Sequence, residues 1–286
     1  MTADNRILRV FPRRTSHTPT DVLTVVGEPG LWIPNPDAFD EIHVSVVFTW
    51  DQEEGRRLHR AWRDVYPHFD HMRIRYGGPG FGEGAGYFVP GRYARRGITY
   101  SSRGCPNHCP WCLVPKREGP LVELPNVAEG NVLQDNNFLA CSKPHRRKVY
   151  EMLRRQRAVK FAGGLEARRL TAWDAEQIRS LRLDEVWFAA DQWKDLPALG
   201  RAIGLLGKIS REKVRCYCLA GFSRIETPDH FNERCMRVWN LGAMPFAQWY
   251  RPPDAKTKPR WTDDWAPVLR RWSRPAAMKA YTRKAV

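Results

Sequence analysis

Six short segments rich in β-branched and aromatic residues alternate with stretches of helical period, and this alternation constrains the fold more than any other feature of the chain. The strand candidates are residues 98–102, 131–134, 159–162, 185–190, 214–219 and 246–250. Between them, residues 144–157 put Val149, Met152 and Leu153 on one helical face. Thr171 reads as the N-cap of the next helix, which turns Ile178 and Leu181 inward. A further helix spans 196–209, and Thr227 followed by Pro228 opens another that runs through Trp239. Strands separated by helices must cross over in parallel and with right-handed connections. The expected fold class is therefore α/β, a partial (β/α)6 TIM-like barrel, with chemistry at the C-terminal ends of its strands.

The residues before this barrel read as a small Rossmann-like unit. Residues 7–11 form a strand stopped by Pro12, 23–26 either a strand or the opening of a helix, and 42–50 a long β-branched strand. Asp51 to Glu54 resembles a capping box, with Leu58, Ala61, Trp62 and Val65 on one face of the helix that follows. A strand over 72–76 runs into a Gly- and Pro-rich stretch that ends near Gly91. The expected domains are 1–92, a Rossmann-like unit; 93–255, the partial barrel; and 256–286, a C-terminal helical extension. No internal repeat is visible, which removes solenoids and propellers.

Charge and composition narrow the partners. Among 286 residues, 47 Lys and Arg stand against 31 Asp and Glu, a formal charge of +16 that favours phosphate-bearing partners. No apolar run reaches the ~18 residues of a membrane span, and the N-terminus lacks the apolar core of a secretion signal, so the expectation is a cytoplasmic protein without a membrane partner. Three of the seven cysteines crowd into the eight residues from Cys105 to Cys112. A secreted disulfide framework does not look like this, whereas a metal centre in a reducing compartment does.

These three thiols, spaced x3 and x2 within Arg103-Gly104-Cys105-Pro106-Asn107-His108-Cys109-Pro110-Trp111-Cys112, follow directly on the first barrel strand. Zinc needs a fourth ligand, which His108 or His145 offers, but no second CxxC or HxxxH pair is present. A 4Fe-4S cluster accepts three cysteines and leaves one iron open. Spacing, and the aromatic residue before the last cysteine, resemble the signature of the radical S-adenosylmethionine (radical SAM) superfamily, over roughly residues 95–250. That resemblance implies a 4Fe-4S cluster held by Cys105, Cys109 and Cys112, with S-adenosylmethionine chelated to the open iron and Trp111 packed beside cluster or adenine. It also implies a flavodoxin- or ferredoxin-type electron donor, and reductive cleavage to a 5′-deoxyadenosyl radical that abstracts a substrate hydrogen.

Further site residues follow from the same resemblance. Asp135, Asn136 and Asn137 end the second strand and look like the variant of the family's amino-group triplet found in cobalamin-associated and methylthiotransferase-like branches. Glu166 and Arg168, after a Gly163-Gly164 pair that ends the third strand, are candidates for the ribose hydroxyls and the methionine carboxylate, as is Asp191 after the fourth. The cobalamin motif of many preceding Rossmann domains is degenerate here: His43 lies within a strand and reads as a packed histidine. None of the cysteines precedes Cys105, so the second cluster of the methylthiotransferases is not expected.

The remaining signals carry alternatives. Cys216 and Cys218 share one face of a strand, either as inert core residues or facing the barrel lumen; Cys141 approaches the Asp135 triplet, and Cys235 lies on a helix. Lys116 to Gly119 either contacts substrate or is solvated. Basic groups at Arg92, Arg95 and Arg96, at 146–148, 154–157 and 256–260, and at Arg270, Arg271 and Arg274 are interleaved late in the chain with Trp249, Tyr250, Trp261, Trp265 and Trp272. Together they suit nucleic acid, or else the charges are a solvated face and the tryptophans close the barrel. The functional expectation is a radical SAM enzyme acting on nucleic acid or a nucleotide. The alternatives are a small-molecule or peptide substrate, and a non-catalytic zinc- and nucleic-acid-binding module.

Overall fold

The computed structural model describes residues 6–31, 33–70, 73–81, 91–252 and 260–284. The chain is mixed α/β with parallel sheets, in two compact units that divide between Ile98 and Thr99. No described helix is long and apolar enough to cross a membrane.

The first unit contains β1 (Ile7–Phe11), β2 (Thr24–Val26), β3 (Glu41–Ser45), α1 (Gln52–Val65) and β4 (Ile74–Gly77). Its strands pair in parallel in the order β2-β1-β3-β4. Leu8, Val10, Ile42, Val44 and Ile74 cluster with Leu58 and Trp62 of α1. Each fully buried aliphatic side chain here contributes about 1.5–3 kcal/mol.

Two expectations fail in this unit. The strand foreseen over 42–50 ends at Ser45, and a 3-10 turn, Thr49–Asp51, leads into α1. Nor does Asp51 cap α1 with its side chain: its carboxylate is buried and takes the guanidinium of Arg13 instead, so a long-range ion pair wins over the local cap. His43 is fully buried as expected and bonds Glu41 (2.8 Å) and Tyr93. The Gly- and Pro-rich stretch over 82–90, Met72, Lys256 and Lys258 lie outside the described residues.

The second unit carries β5 (Ile98–Thr99), β6 (Ser102–Arg103), α2 (Val114–Arg117), β7 (Val122–Glu123), β8 (Val132–Leu133), α3 (Lys143–Arg154), β9 (Val159–Leu165), α4 (Ala172–Arg179), β10 (Leu183–Ala189), α5 (Leu196–Leu206), β11 (Val214–Ala220), α6 (Pro228–Asn240), β12 (Met244–Trp249), α7 (Ala266–Ser273) and α8 (Pro275–Lys284). Its main sheet runs β12-β11-β10-β9-β8-β5, parallel from β12 to β8. The single strand expected over 98–102 is split. Ser102 and Arg103 leave the main sheet and pair antiparallel with Glu123 and Val122, which starts the cysteine loop from a small ribbon of its own.

Helix starts follow the sequence closely. Thr171 accepts from the Asp174 backbone, and Asp174 answers to the Thr171 backbone, a complete capping box; Thr227 accepts from His230. Asp174, fully buried, also receives Arg146 from α3 and the Tyr150 hydroxyl (3.2 Å). Arg146 is therefore turned inward and does not belong to a solvated basic face. Trp265 and Trp272 are buried in the core, which settles their role as packing residues.

Candidate active site

The cysteine loop leaves β6 through Gly104, whose φ of +72° and whose approach to Pro120 leave no room for a side chain: a Cβ there would stand 2.0 Å from the Pro120 carbonyl oxygen. The loop then returns on itself, with the Cys105 backbone N–H donating to the Gly119 carbonyl (3.2 Å) and that of Cys112 to Cys109 (3.0 Å). Cys105, Cys109 and Cys112 are all half-buried free thiols. Burial pushes Cys109 and Cys112 above the ordinary thiol range, and the neighbouring thiols and the Asp191 carboxylate push the same way.

Polar groups at the C-terminal ends of β8 and β9 converge on this loop. The Asn137 amide donates to Cys105 Sγ (3.5 Å) and to Glu166 Oε2 (2.8 Å), and the same oxygen takes Asn107 from the cysteine loop (2.9 Å) and Arg169 (2.7 Å). Arg168, largely exposed, lies 3.3 Å from the other Glu166 oxygen. Burial works to raise Glu166, but the hydrogen bonds from Asn137, Asn107 and Arg169 outweigh it and hold the carboxylate below its usual range. Asn137 itself is 3 % exposed, and its Oδ1 is a buried acceptor with no hydrogen-bond partner among the described residues. Leaving such a group unsatisfied costs about 1–3 kcal/mol, so it marks a place where a donor belongs.

The rest of the triplet faces elsewhere. Asp135 accepts from the Ser101 backbone (2.6 Å) and hydroxyl and from the Ser102 hydroxyl (2.9 Å), which occupies both its oxygens. Its burial raises its pKa against those hydrogen bonds. Asn136 donates to Glu118 (2.6 Å), which also holds Arg103 and the Gly104 backbone N–H (3.2 Å). Glu118 thus fastens the two ends of the cysteine loop to the end of β8. Close packing continues at Gly163, where a Cβ would lie 1.9 Å from the Asp135 carbonyl oxygen.

Asp191, following β10, accepts from the Leu219 backbone (3.1 Å). Burial, reinforced by Cys218, raises its pKa to about 6. Trp111 packs edge-on against Phe222 (5.2 Å between centroids), and Phe222 against Tyr250 (5.0 Å), so an aromatic ladder ties the loop to the ends of β11 and β12. Cys141 is buried and, with its thiol raised to about 11 mainly by burial, packs near Ser102. Cys216 and Cys218 share one face as expected, fully buried within the core cluster along with Cys235.

Cys105, Asn137, Glu166 and Arg168 thus form one cluster, with Cys109, Cys112 and Asp191 close enough to interact electrostatically. Sequence reasoning did not single out Asn107, Ser101, Ser102, Arg169 or Phe222. Asn107 had a visible signal, an amide between two of the cysteines; the others become apparent only when strand ends are brought together.

Among the described residues no three His, Cys, Asp or Glu side chains are gathered as ligands of one ion. A tetrahedral zinc needs its donors about 2.0–2.3 Å from a single point. A cubane cluster takes each thiolate on a different iron, so a wider triangle of thiols suits it. Three thiols on one loop and the orphaned Asn137 acceptor fit a cluster that carries an amine-bearing ligand. A shallow crevice between β8 and β9, lined in part by Asp135, Phe138, Gly163 and Gly164, is too tight to hold a ligand. No protein-family model matches the chain, and a search of curated proteins finds no match either.

Proposed function

We propose that the chain is a radical SAM enzyme: a 4Fe-4S protein that cleaves S-adenosylmethionine reductively and uses the resulting radical on a nucleic acid or nucleotide. The observation that carries this reading is the meeting of Cys105 with Asn137 and Glu166, two acceptor-bearing side chains from strand ends far along the chain. The six-stranded sheet, parallel from β12 to β8, is read as a partial barrel with its site at the C-terminal ends of the strands.

Cys105, Cys109 and Cys112 would hold the cluster, and the Asn137 amide and the Asn107 backbone N–H, both 3.5 Å from Cys105 Sγ, would stabilise its thiolate. When bound, cluster and S-adenosylmethionine supply one-electron cleavage of a carbon–sulfur bond, giving methionine and a 5′-deoxyadenosyl radical. Asn137 Oδ1 offers the acceptor that an ammonium requires. Glu166, held ionised, and Asp191 are acceptors for ribose hydroxyls, and exposed Arg168 can turn from Glu166 to a carboxylate. Glu118 and the Trp111–Phe222 contact keep the loop in place, and a flavodoxin- or ferredoxin-type protein would deliver the electron.

The test is anaerobic. Protein reconstituted with iron and sulfide is given S-adenosylmethionine and dithionite, and 5′-deoxyadenosine is measured by mass spectrometry. Wild type yields it, and Cys109→Ala falls to background. A colourless protein that retains zinc and takes up no iron would overturn the reading in favour of a binding module.

A further inference from the structure

The main sheet of the second unit has two unlike faces. One carries Val186, Phe188, Cys216 and Cys218, all fully buried. The other carries half-buried rings: Trp187 on β10, Tyr217 on β11 and Phe246 on β12. Register places Trp187 beside Arg215, and Tyr217 between Ala189 and Phe246, so Tyr217 is one layer nearer the C-terminal strand ends than Trp187. The two rings are stacked, 4.4 Å between centroids and 27° between planes. The Tyr217 hydroxyl donates to the Ala162 carbonyl (3.1 Å) on β9, so the side chain lies flat across β10, pinned at both ends. One face of the ring rests on Trp187. Around it stand Ala189 on β10, Phe246 edge-on at 6.1 Å on β12, and Gly164, where a Cβ would touch the ring at 3.7 Å.

A rigid ring held flat and backed by a second ring, with glycine and alanine at part of its border, is a surface for another planar ring. The same unit carries exposed Lys116, Arg168 and Arg224 in a chain of charge +16, which suits a ligand that joins a planar ring to phosphate. We propose that Tyr217 is the stacking platform for a nucleobase of a single-stranded nucleic-acid substrate. The inference gives the reaction proposed above its substrate class and rests on that reading only for the chemistry, not for the binding.

The test uses the full chain without its cluster, under reducing conditions, and reads fluorescence anisotropy of a labelled mixed-sequence RNA of about ten nucleotides. A matched strand of abasic ribose phosphates keeps the charge and removes the bases. Wild type binds the base-bearing strand about fivefold or more tighter than the abasic one. Tyr217→Phe keeps the preference because the ring remains, and Tyr217→Leu, with thermal melting as the check on folding, loses it while binding the abasic strand as wild type does. Equal binding of both strands by wild type, no binding of either at low salt, or an unchanged preference in folded Tyr217→Leu would each overturn the platform. Because the assay contains neither cluster nor S-adenosylmethionine, its failure leaves the deoxyadenosine result standing, and the reverse holds equally.

Discussion

Two groups of three cysteines lie in the second unit, and they could hardly be more differently placed. Cys105, Cys109 and Cys112 sit half-buried on a loop beside amide donors and carboxylates. Cys216, Cys218 and Cys235 are fully buried between β11 and α6, where Cys216 donates to the Tyr217 carbonyl (3.5 Å) and Cys218 to the Cys216 carbonyl (3.7 Å), and burial pushes Cys216 and Cys235 well above the ordinary thiol range. Nearness of thiols is common to both groups, so nearness alone does not make a centre. On β11 the two-residue repeat fixes both thiols under a helix, where they fill volume as small apolar groups. On the loop each thiol is aimed separately, half-buried among polar neighbours.

The contrast is broken most forcefully by exchange of roles. Replacement of any loop cysteine by alanine takes deoxyadenosine formation to background, whereas Cys216→Ala and Cys235→Ala retain it. Activity lost equally from both groups would erase the distinction. Next in size is the ion pair beside the buried trio. Arg234 is fully buried and spans the Ala190 and Leu219 carbonyls (2.6 Å each) and Glu226 (2.8 Å). Arg234→Leu strips all three of their donor, and chemical denaturation should show a loss of about 3–5 kcal/mol.

Thiol chemistry sharpens the comparison further. With native protein and iodoacetamide, peptide mass spectrometry should find the buried trio modified at least about a hundredfold more slowly than the loop trio, since they react only when the core opens. Comparable rates would mean that α6 does not seal β11. The smallest effect concerns Asp191, whose folded pKa of about 6 lies above its unfolded value. A raised acid binds its proton more tightly when folded, so its contribution is complete below pH ~4 and is lost as pH rises through ~6. Asp191→Asn removes that decline, about 3 kcal/mol between those pH values, and keeps an acceptor for the Leu219 N–H.

What was legible in the sequence was local and periodic. The caps at Thr171 and Thr227, the strand over 7–11 and the shared face of Cys216 and Cys218 are written in residues adjacent in the chain. The arrangement of the site was not. That Asp135 would bind Ser101 and Ser102, leaving Asn137 turned to Cys105, depends on how β5, β6 and β8 meet. The Gly163-Gly164 pair, read as ending a strand, lies inside β9, which runs on to Leu165 because glycine lets it pass against Asp135. The Asp51 cap failed for the same reason, a distant arginine outcompeting a neighbouring N–H.

The buried Asp174 carboxylate begins α4 through Thr171 and receives Arg146 and Tyr150 from α3. Neither helix can fray from that end without stranding a charge in the core of the other. Amide exchange in α3 and α4 should therefore proceed through a shared opening, and a ligand that steadies one helix protects both.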